Sequence, residues 1–500
     1  MKEHQLYVYN SLSKQRELFE PIHEGRVGMY VCGPTVYSDV HLGNCRTFTS
    51  FDIIYRFLKY LGFKVRYVRN ITDVGHLEGD VDVGAEDKIS KKARIDQLEP
   101  MEVVQKYANG FHEMMQIFNL QTPSIEPRAT GHIIEQIEMI QAIIDRGLAY
   151  EKSGSIYFDT PKYTGQKHQY GVLSGRVIDE LIQESRDDLK GQSEKNHPSD
   201  FALWIKADAT HLMRWPSPWS IGFPGWHLEC SAMSTKYLGE YFDIHGGGND
   251  LKFPHHENEI AQNVAACGQT PAKYWLHTNM LLLNGRKMSK SEDNSVTPQQ
   301  LFTGDSKHFT KGFSPMVVRF FMLQAHYRST LDLTDDALLA AEKGYKRLME
   351  GHKVLSTLEA QNGGPTSQLD QELNQLMDGV LADMCDDFNT PKALAKLFEL
   401  TTRINSLAGK QLDSGLLHAD TLSQLKELFP AFLFEVFGLK DSESEQGEDL
   451  VGGLMELIID LRKDARLNKD WGTADKIRDS LAALSLQVKD GKDGTSWSKA

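Results

Sequence analysis

The chain has 500 residues, with 55 Lys and Arg against 69 Asp and Glu, a net charge of −14 and an apolar fraction of 40%. That length exceeds one hydrophobic core and predicts about two to four domains, while the composition excludes a fibrous or wholly disordered chain. No stretch approaches the roughly 18 consecutive apolar residues of a membrane helix, and the acidic balance argues against coating DNA but leaves room for a local basic patch that holds RNA.

The opening MKEHQLYVYNSLSKQ has no apolar core of the kind a secretory leader needs. Five scattered cysteines (Cys32, Cys45, Cys230, Cys267 and Cys385) do not form a disulfide framework. The expectation is a cytoplasmic protein whose reduced thiols are free for metal or catalysis. RVGMYVC (26–32) reads as a buried strand and runs into the turn-forming GPTVYSDVHLGN. Phe48, Phe51, Tyr55, Leu58 and Leu61 then recur at helical steps, Gly62 ends the helix, and KVRYVRNIT (64–72) is the next strand. This β-α-β unit predicts a doubly wound, Rossmann-type parallel sheet spanning 1–129 and 226–300 in two halves. Residues 130–225 read as a connective insertion. In the second half, EYFDIH is a strand, GGGND a loop, PHHENEIAQNVAAC a helix, and WLHTNMLLL a strand ended by Asn284-Gly285. Residues 301–340 form a stem or junction, 341–440 an α-helical bundle, and 450–500 a small C-terminal domain behind the linker-like KDSESEQGED.

Two segments suit phosphate chemistry. His41-Leu42-Gly43-Asn44 stands at the first strand-to-helix turn, where an open sheet binds ligands and a helix N-terminus favours an anion. Lys287-Met288-Ser289-Lys290-Ser291 follows the late Asn284-Gly285 turn, and its two lysines suit a leaving pyrophosphate. Alone, the first also reads as an ordinary capped helix start and the second as a solvated loop. Together, in this order, they resemble the HIGH and KMSKS motifs of class I aminoacyl-tRNA synthetases.

Cys32 ends the first strand, Cys230 lies in GWHLECSAM, and His255 and Glu259 share one helix face at i, i+4. Sulfur, imidazole and carboxylate donors of this kind suit tetrahedral zinc. Individually they also read as core thiols and surface decoration, and spacing alone does not join them. VCGPTVY…HLGN, RNITD, GWHLECSAM, HGGGNDLKFPHHENE and KMSKS, in that order, resemble the cysteinyl-tRNA synthetase family, and RFFMLQAHYR, MCDDFNT and RLNKDWGTADKIRDSL extend the likeness over nearly the whole chain.

That resemblance implies that Cys32, Cys230, His255 and Glu259 hold one zinc ion in the amino-acid pocket. A pocket of matching shape separates near-isosteres by only about 10²-fold, whereas zinc selects thiolate over hydroxyl chemically. It further implies ATP as substrate with Mg²⁺, His41, Asn44, Lys287 and Lys290 as catalytic groups, and Gly43, Ser289, Lys290 and Ser291 as nucleotide-binding positions. Gly33, Thr72, Trp226, His227 and Asp250 match the cysteine pocket, with Asp250 meeting the substrate ammonium. Read without the family, Trp226 is a core residue, Thr72 a strand-end cap and Asp250 a turn residue. Three departures stand out: Asn44 ends the HIGH-type motif and cannot become cationic, VGHLEGDVDVGAEDK after RNITD is longer than usual, and KMSKS is followed by EDN.

The implied partners are cysteine, ATP and tRNA(Cys), bound by a monomer, with neither DNA nor membrane involved. Residues 341–440 resemble an anticodon-binding bundle. Arg462, Lys463, Arg466, Lys469, Lys476 and Arg478 outweigh Asp464, Asp470 and Asp475, and Trp471 or Trp497 could stack on an unpaired base; a solvated helix face with core tryptophans accounts for the same residues. Rival readings are a ligase passing cysteine to a small amino sugar, a zinc hydrolase built on a variant of HExxH, and a non-catalytic RNA-binding descendant. The first relative lacks the C-terminal region present here, and in the second Ile260 stands where a metal-binding His belongs.

Overall fold

The computed structural model describes residues 4–74, 88–166, 168–176, 195–208, 211–288, 294–360, 367–441, 454–455, 457–466, 468–484, 486–491 and 494–499. The chain divides into two compact units, Met1–Leu439 and Lys440–Ala500.

The first unit opens with the antiparallel pair β1 (Tyr7–Asn10) and β2 (Gln15–Leu18). The strand β3 (Arg26–Val31), helix α1 (Leu42–Tyr60) and strand β4 (Lys64–Arg69) form the expected β-α-β unit, with Gly62 at φ +91° between helix and strand. Helices α2 (Lys88–Asp96) and α3 (Pro100–Ile117) follow. Next come α4 (Ile133–Asp145) and the strands β5 (Ala149–Lys152), β6 (Ser155–Phe158), β7 (Phe201–Lys206), β8 (Trp215–Pro216) and β9 (Ile221–Pro224), which build an antiparallel sheet in the order β5-β6-β7-β9-β8. The chain then returns through α5 (Trp226–Leu238), β10 (Phe242–Gly248), α6 (His255–Cys267) and β11 (Ala272–Thr278). The result is a parallel sheet in the order β11-β10-β3-β4, as a doubly wound fold requires.

Three details differ from the sequence reading, each for a steric or bonding reason. The expected amphipathic stripe on α1 is buried on all sides: Arg46, Asp52 and Arg56 are enclosed together with Phe48, Phe51 and Leu58. HGGG is strand rather than loop. A Cβ at Gly246 would sit 2.2 Å from the Phe51 ring and one at Gly247 2.8 Å from His256, so the glycines admit close packing. WLHTNMLLL is broken at Asn279-Met280 into β11 and β12 (Leu281–Leu283), because Asn279 N–H turns to Tyr327 O and Met280 O accepts from Arg46.

The strand β12 pairs with β13 (Arg286–Lys287) and, after helix α7 (Pro315–Leu323), with β14 (Leu331–Leu333). Helices α8 (Asp335–Thr357), α9 (Gln368–Cys385), α10 (Thr390–Ala408) and α11 (Ala419–Pro430) complete the unit. In the second unit, α12 (Trp471–Ala483) precedes a hairpin of β15 (Leu486–Gly491) and β16 (Gly494–Lys499). Among the described residues no helix is long and apolar enough to cross a membrane.

Candidate active site and metal centre

Four donors converge where β3, α5 and α6 meet. Cys32 leaves the carboxyl end of β3, Cys230 lies in the second turn of α5, and His255 and Glu259 project from one face of α6. All four are buried, and one donor atom from each lies within 4.8 Å of the others. The two sulfurs are 3.7 Å apart, Cys32 Sγ is 3.5 Å from Glu259 Oε1, and His255 Nε2 is 3.2 Å from that same oxygen. Burial pushes both thiols above their ordinary pKa, and the neighbouring Glu259 charge adds to this. A cation between the sulfurs reverses that balance and favours thiolate. Two sulfurs, an imidazole and a carboxylate oxygen fit a borderline-soft, four-coordinate ion.

Around these donors stands a histidine layer that the sequence reading missed. His245 Nε2 bonds Glu259 Oε2 at 2.8 Å, and its ring lies flat against Trp275, with centroids 4.3 Å apart. His256 faces Cys32 Sγ through Nε2 at 3.3 Å and His277 Nε2 through Nδ1 at 2.8 Å, and His277 Nδ1 reaches Ser11 Oγ at 2.9 Å. Burial drives His256 and His277 well below the usual imidazole pKa. Cys32, His245, His256 and Glu259 therefore form a second converging group that shares two members with the first. Its imidazoles are already engaged with Trp275 and His277, so they suit orienting the first set. The available signal was a His inside the strand FDIH beside a His-His pair opening the next helix.

His41, Gly43 and Asn44 of HLGN and Lys287 and Met288 of KMSKS meet in the adjoining cleft. His41 caps α1: its Nδ1 accepts Asn44 N–H at 3.2 Å while Asn44 Oδ1 accepts His41 N–H at 3.4 Å. Accepting at Nδ1 places the neutral ring's proton on Nε2, leaving that nitrogen as donor. His41, Gly43, Asn44, Asp250, Met280 and Lys287 line a cleft of about 380 Å³. A second hollow of about 270 Å³, lined by Cys32, Gly33, Trp226 and Asp250, shares His41, Asn44, Thr47, Gly248 and Asp250 with the first. The exposed Asp250 carboxylate thus stands at the junction of the two.

Gly33 is required on packing grounds: its N–H donates to Asn70 Oδ1 at 2.8 Å, and a Cβ there would lie 1.6 Å from Asn70 O. Thr72 lines neither hollow. It is buried behind Pro34–Val36, where its hydroxyl accepts Asn70 Nδ2 at 3.0 Å. His227 likewise stands outside both linings and meets His255, Nδ1 to Nδ1, at 2.9 Å, while the Trp226 ring centroid is 4.4 Å from that of His255. Ser289, Lys290, Ser291 and the following Glu292-Asp293 lie outside the described residues, as does most of the long segment after RNITD.

Other expectations meet geometry here too. Glu257, the acid of the HExxH variant, accepts the amides of Leu173 (3.1 Å) and Ser174 (2.9 Å) and so is engaged by the inserted segment. In the second unit Arg478 pairs with Asp475 (2.9 Å) and Asp479 (3.0 Å), Arg462 is buried, and Trp471 is exposed. The side chain of Trp497 lies outside the described residues.

A parallel sheet with HLGN at its first helix start and KMSKS after a late strand defines the catalytic fold of a class I tRNA synthetase. Residues 18–343 match the model of the family described as tRNA synthetases class I (C) catalytic domain, and 379–439 match the DALR domain. The cysteine–tRNA ligase of Bacteroides thetaiotaomicron is 52% identical over 499 residues, covering 99% of both chains, and that of Deinococcus radiodurans is 46% identical, covering 98% of this chain and 96% of its own. Among solved structures, Mycobacterium tuberculosis methionyl-tRNA synthetase in complex with methionyl-adenylate shares the fold at a TM-score of 0.57 and 14% identity, over 82% of this chain and 89% of that one. The chain belongs to the cysteine–tRNA ligase family of class I synthetases.

Proposed function

We propose that this protein activates cysteine with ATP and passes the cysteinyl group to the terminal adenosine of tRNA(Cys). The observation that carries the reading is the convergence of Cys32, Cys230, His255 and Glu259 beside a cleft lined by His41, Asn44 and Lys287. In the first step an oxygen of the cysteine carboxylate attacks the α-phosphorus of ATP and the bond to pyrophosphate breaks. No side chain becomes covalent, so catalysis is positioning and charge stabilisation. His41 Nε2–H and the Asn44 amide donate to phosphate oxygens at the α1 N-terminus, where Gly43 lets them approach. Lys287 and Lys290, with Ser289 and Ser291, meet the charge that grows on pyrophosphate, which Mg²⁺ accompanies. Asp250 pairs with the substrate ammonium, Trp226 closes the small hollow, and Gly33, Thr72 and His227 hold its walls. In the second step a ribose hydroxyl of the terminal adenosine takes the cysteinyl group and releases AMP.

Cys32, Cys230, His255 and Glu259 hold zinc in this reading. When bound, zinc would supply a soft Lewis-acidic centre that favours a thiolate sulfur over a hydroxyl. Residues 341–440 and 450–500 contact tRNA, and the enzyme works as a cytoplasmic monomer, with 1–129 and 226–300 catalytic, 130–225 connective and 301–340 joining them to the bundle. Ligation to a small amino sugar is the weaker reading, because the relatives match over the C-terminal region as well. The hydrolase reading loses its general base, since Glu257 is engaged by Leu173 and Ser174. Charging of bulk tRNA with labelled cysteine tests the proposal: cysteine in acid-stable linkage to tRNA supports it, and none refutes it. Equal ATP–pyrophosphate exchange with serine would remove zinc selection.

A further inference from the structure

Two walls of the nucleotide cleft, the start of α1 and the Met280–Lys287 segment, come from distant parts of the chain, with Gly248–Asp250 completing the lining. One side chain spans them. Arg46 lies two residues beyond Asn44 and is only 1% exposed. Its Nη1 donates to Met280 O at 2.5 Å, and its Nη2 donates to Ser329 O and, at 3.5 Å, to His326 O. All its hydrogen-bond partners among the described residues are main-chain carbonyls, so the guanidinium acts as a fork across backbone, and burial draws its pKa down to about 10. The neighbouring Thr47 Oγ1 accepts from Thr278 Oγ1 at 3.0 Å, which ties α1 to the same segment a second time.

The carbonyl that Arg46 holds is also the first anchor of the hairpin. Met280 O accepts Leu331 N–H at 3.2 Å where β12 and β14 begin their parallel pairing. The strand β12 pairs in turn with β13, where Leu282 lies opposite Lys287. A shift at Met280 therefore moves Lys287 relative to His41 and Asn44. A buried charge costs free energy that an apolar residue of similar volume avoids, and the fork offsets that cost only by satisfying carbonyls from two segments at once.

We infer that Arg46 is a positioning residue for adenylate formation: without touching ATP, it fixes the distance between the HLGN helix start and the β12–β13 hairpin that ends in Lys287. The inference rests on the function proposed above. Lysine keeps the charge but lacks the planar fork that reaches the carbonyls of both segments at once, so Arg46→Lys isolates the fork, and Arg46→Met removes the charge while filling the space.

Each variant is compared with the wild-type chain in three measurements: cysteine-dependent ATP–pyrophosphate exchange, cysteine binding in the absence of ATP, and amide hydrogen exchange of the 281–288 peptide. Misplacement of a reacting group by about 1 Å costs on the order of 10²-fold in rate. The expected result is a loss of that size in exchange kcat for both variants. Cysteine affinity stays unchanged, and protection is lost at 281–288 but not in α6. Wild-type kcat and hairpin protection in Arg46→Lys would overturn the inference, as would cysteine affinity falling in step with the rate, which marks general unfolding. Should the wild-type chain support no exchange with cysteine, the functional reading fails, while protection of 281–288 in Arg46→Lys still decides whether the fork holds the hairpin.

Discussion

Asp52 Oδ2 accepts Arg319 Nη2 at 2.5 Å, joining α1 to α7 across 267 positions of sequence, with both side chains buried. The same oxygen accepts Arg56 Nε at 2.7 Å. Both guanidinium groups also donate to main-chain carbonyls: Arg319 to Phe437 and Phe118, and Arg56 to Glu435 and Asn119. A single carboxylate thus organises two enclosed cations and fastens the end of the helical region to the helix that begins at HLGN. Removing it strands both charges, so Asp52→Asn should lower stability by about 3–5 kcal/mol. Urea unfolding monitored by circular dichroism reads this out, and a loss below about 1 kcal/mol, the range of an exposed pair, would contradict it.

Replacing donors of the metal centre should have graded effects. Cys230→Ser and Glu259→Gln each remove a direct donor and should abolish stoichiometric zinc in the purified protein, as measured by elemental analysis. His245 acts one step removed, through Glu259 Oε2. His245→Phe should retain the metal with affinity weaker by about 10–100-fold, measured by competition with a chromogenic chelator. Undiminished zinc in Cys230→Ser would show that the ion sits elsewhere.

Lys290→Ala should slow adenylate formation by about 10²-fold or more while leaving cysteine affinity alone, as expected when one charge-stabilising donor is lost from the transition state. Single-turnover pyrophosphate release measures it; an unchanged rate would assign the charge stabilisation to Lys287.

Acid sensitivity has a local source at Asp370, which opens α9. Burial works to raise this carboxyl, but the amides of His418 and Ser367, the Ser367 hydroxyl and the His418 ring outweigh it and hold the group well below the usual range. A depressed folded-state pKa stabilises the fold above the unfolded value of about 3.9, and that contribution is lost as pH falls toward the folded value. Asp370→Asn should therefore flatten the fall in stability below about pH 4. Identical slopes in melting temperature against pH for variant and parent would refute this.

Much of the catalytic sheet was legible because β3 is a short apolar run, α1 carries apolar residues at helical spacing, and Gly62 separates that helix from β4. Composition misled at Gly246–Gly248, where three glycines read as a loop: what keeps them extended is Phe51 and His256 pressing from other elements, and pairing cannot be seen in the strand alone. The stripe on α1 was likewise only half the story, since Arg46, Asp52 and Arg56 look solvent-facing until the carbonyls of Asn119, Met280, Ser329 and Glu435 and the Arg319 guanidinium are in place around them. The metal donors carried motif signals, whereas His245 and His277 lie inside strands, and their convergence is a property of sheet order. Thr72 and His227 matched motifs too, yet they stand behind the hollows.

The spacing of the four donors along the chain bears on synthesis. Residue 32 is made early and residue 259 more than two hundred peptide bonds later, so a growing polypeptide cannot offer the full cage until past its midpoint. Under the function proposed above, zinc uptake through this quartet waits until α6 has been made, and products truncated before Glu259 lack the full donor set.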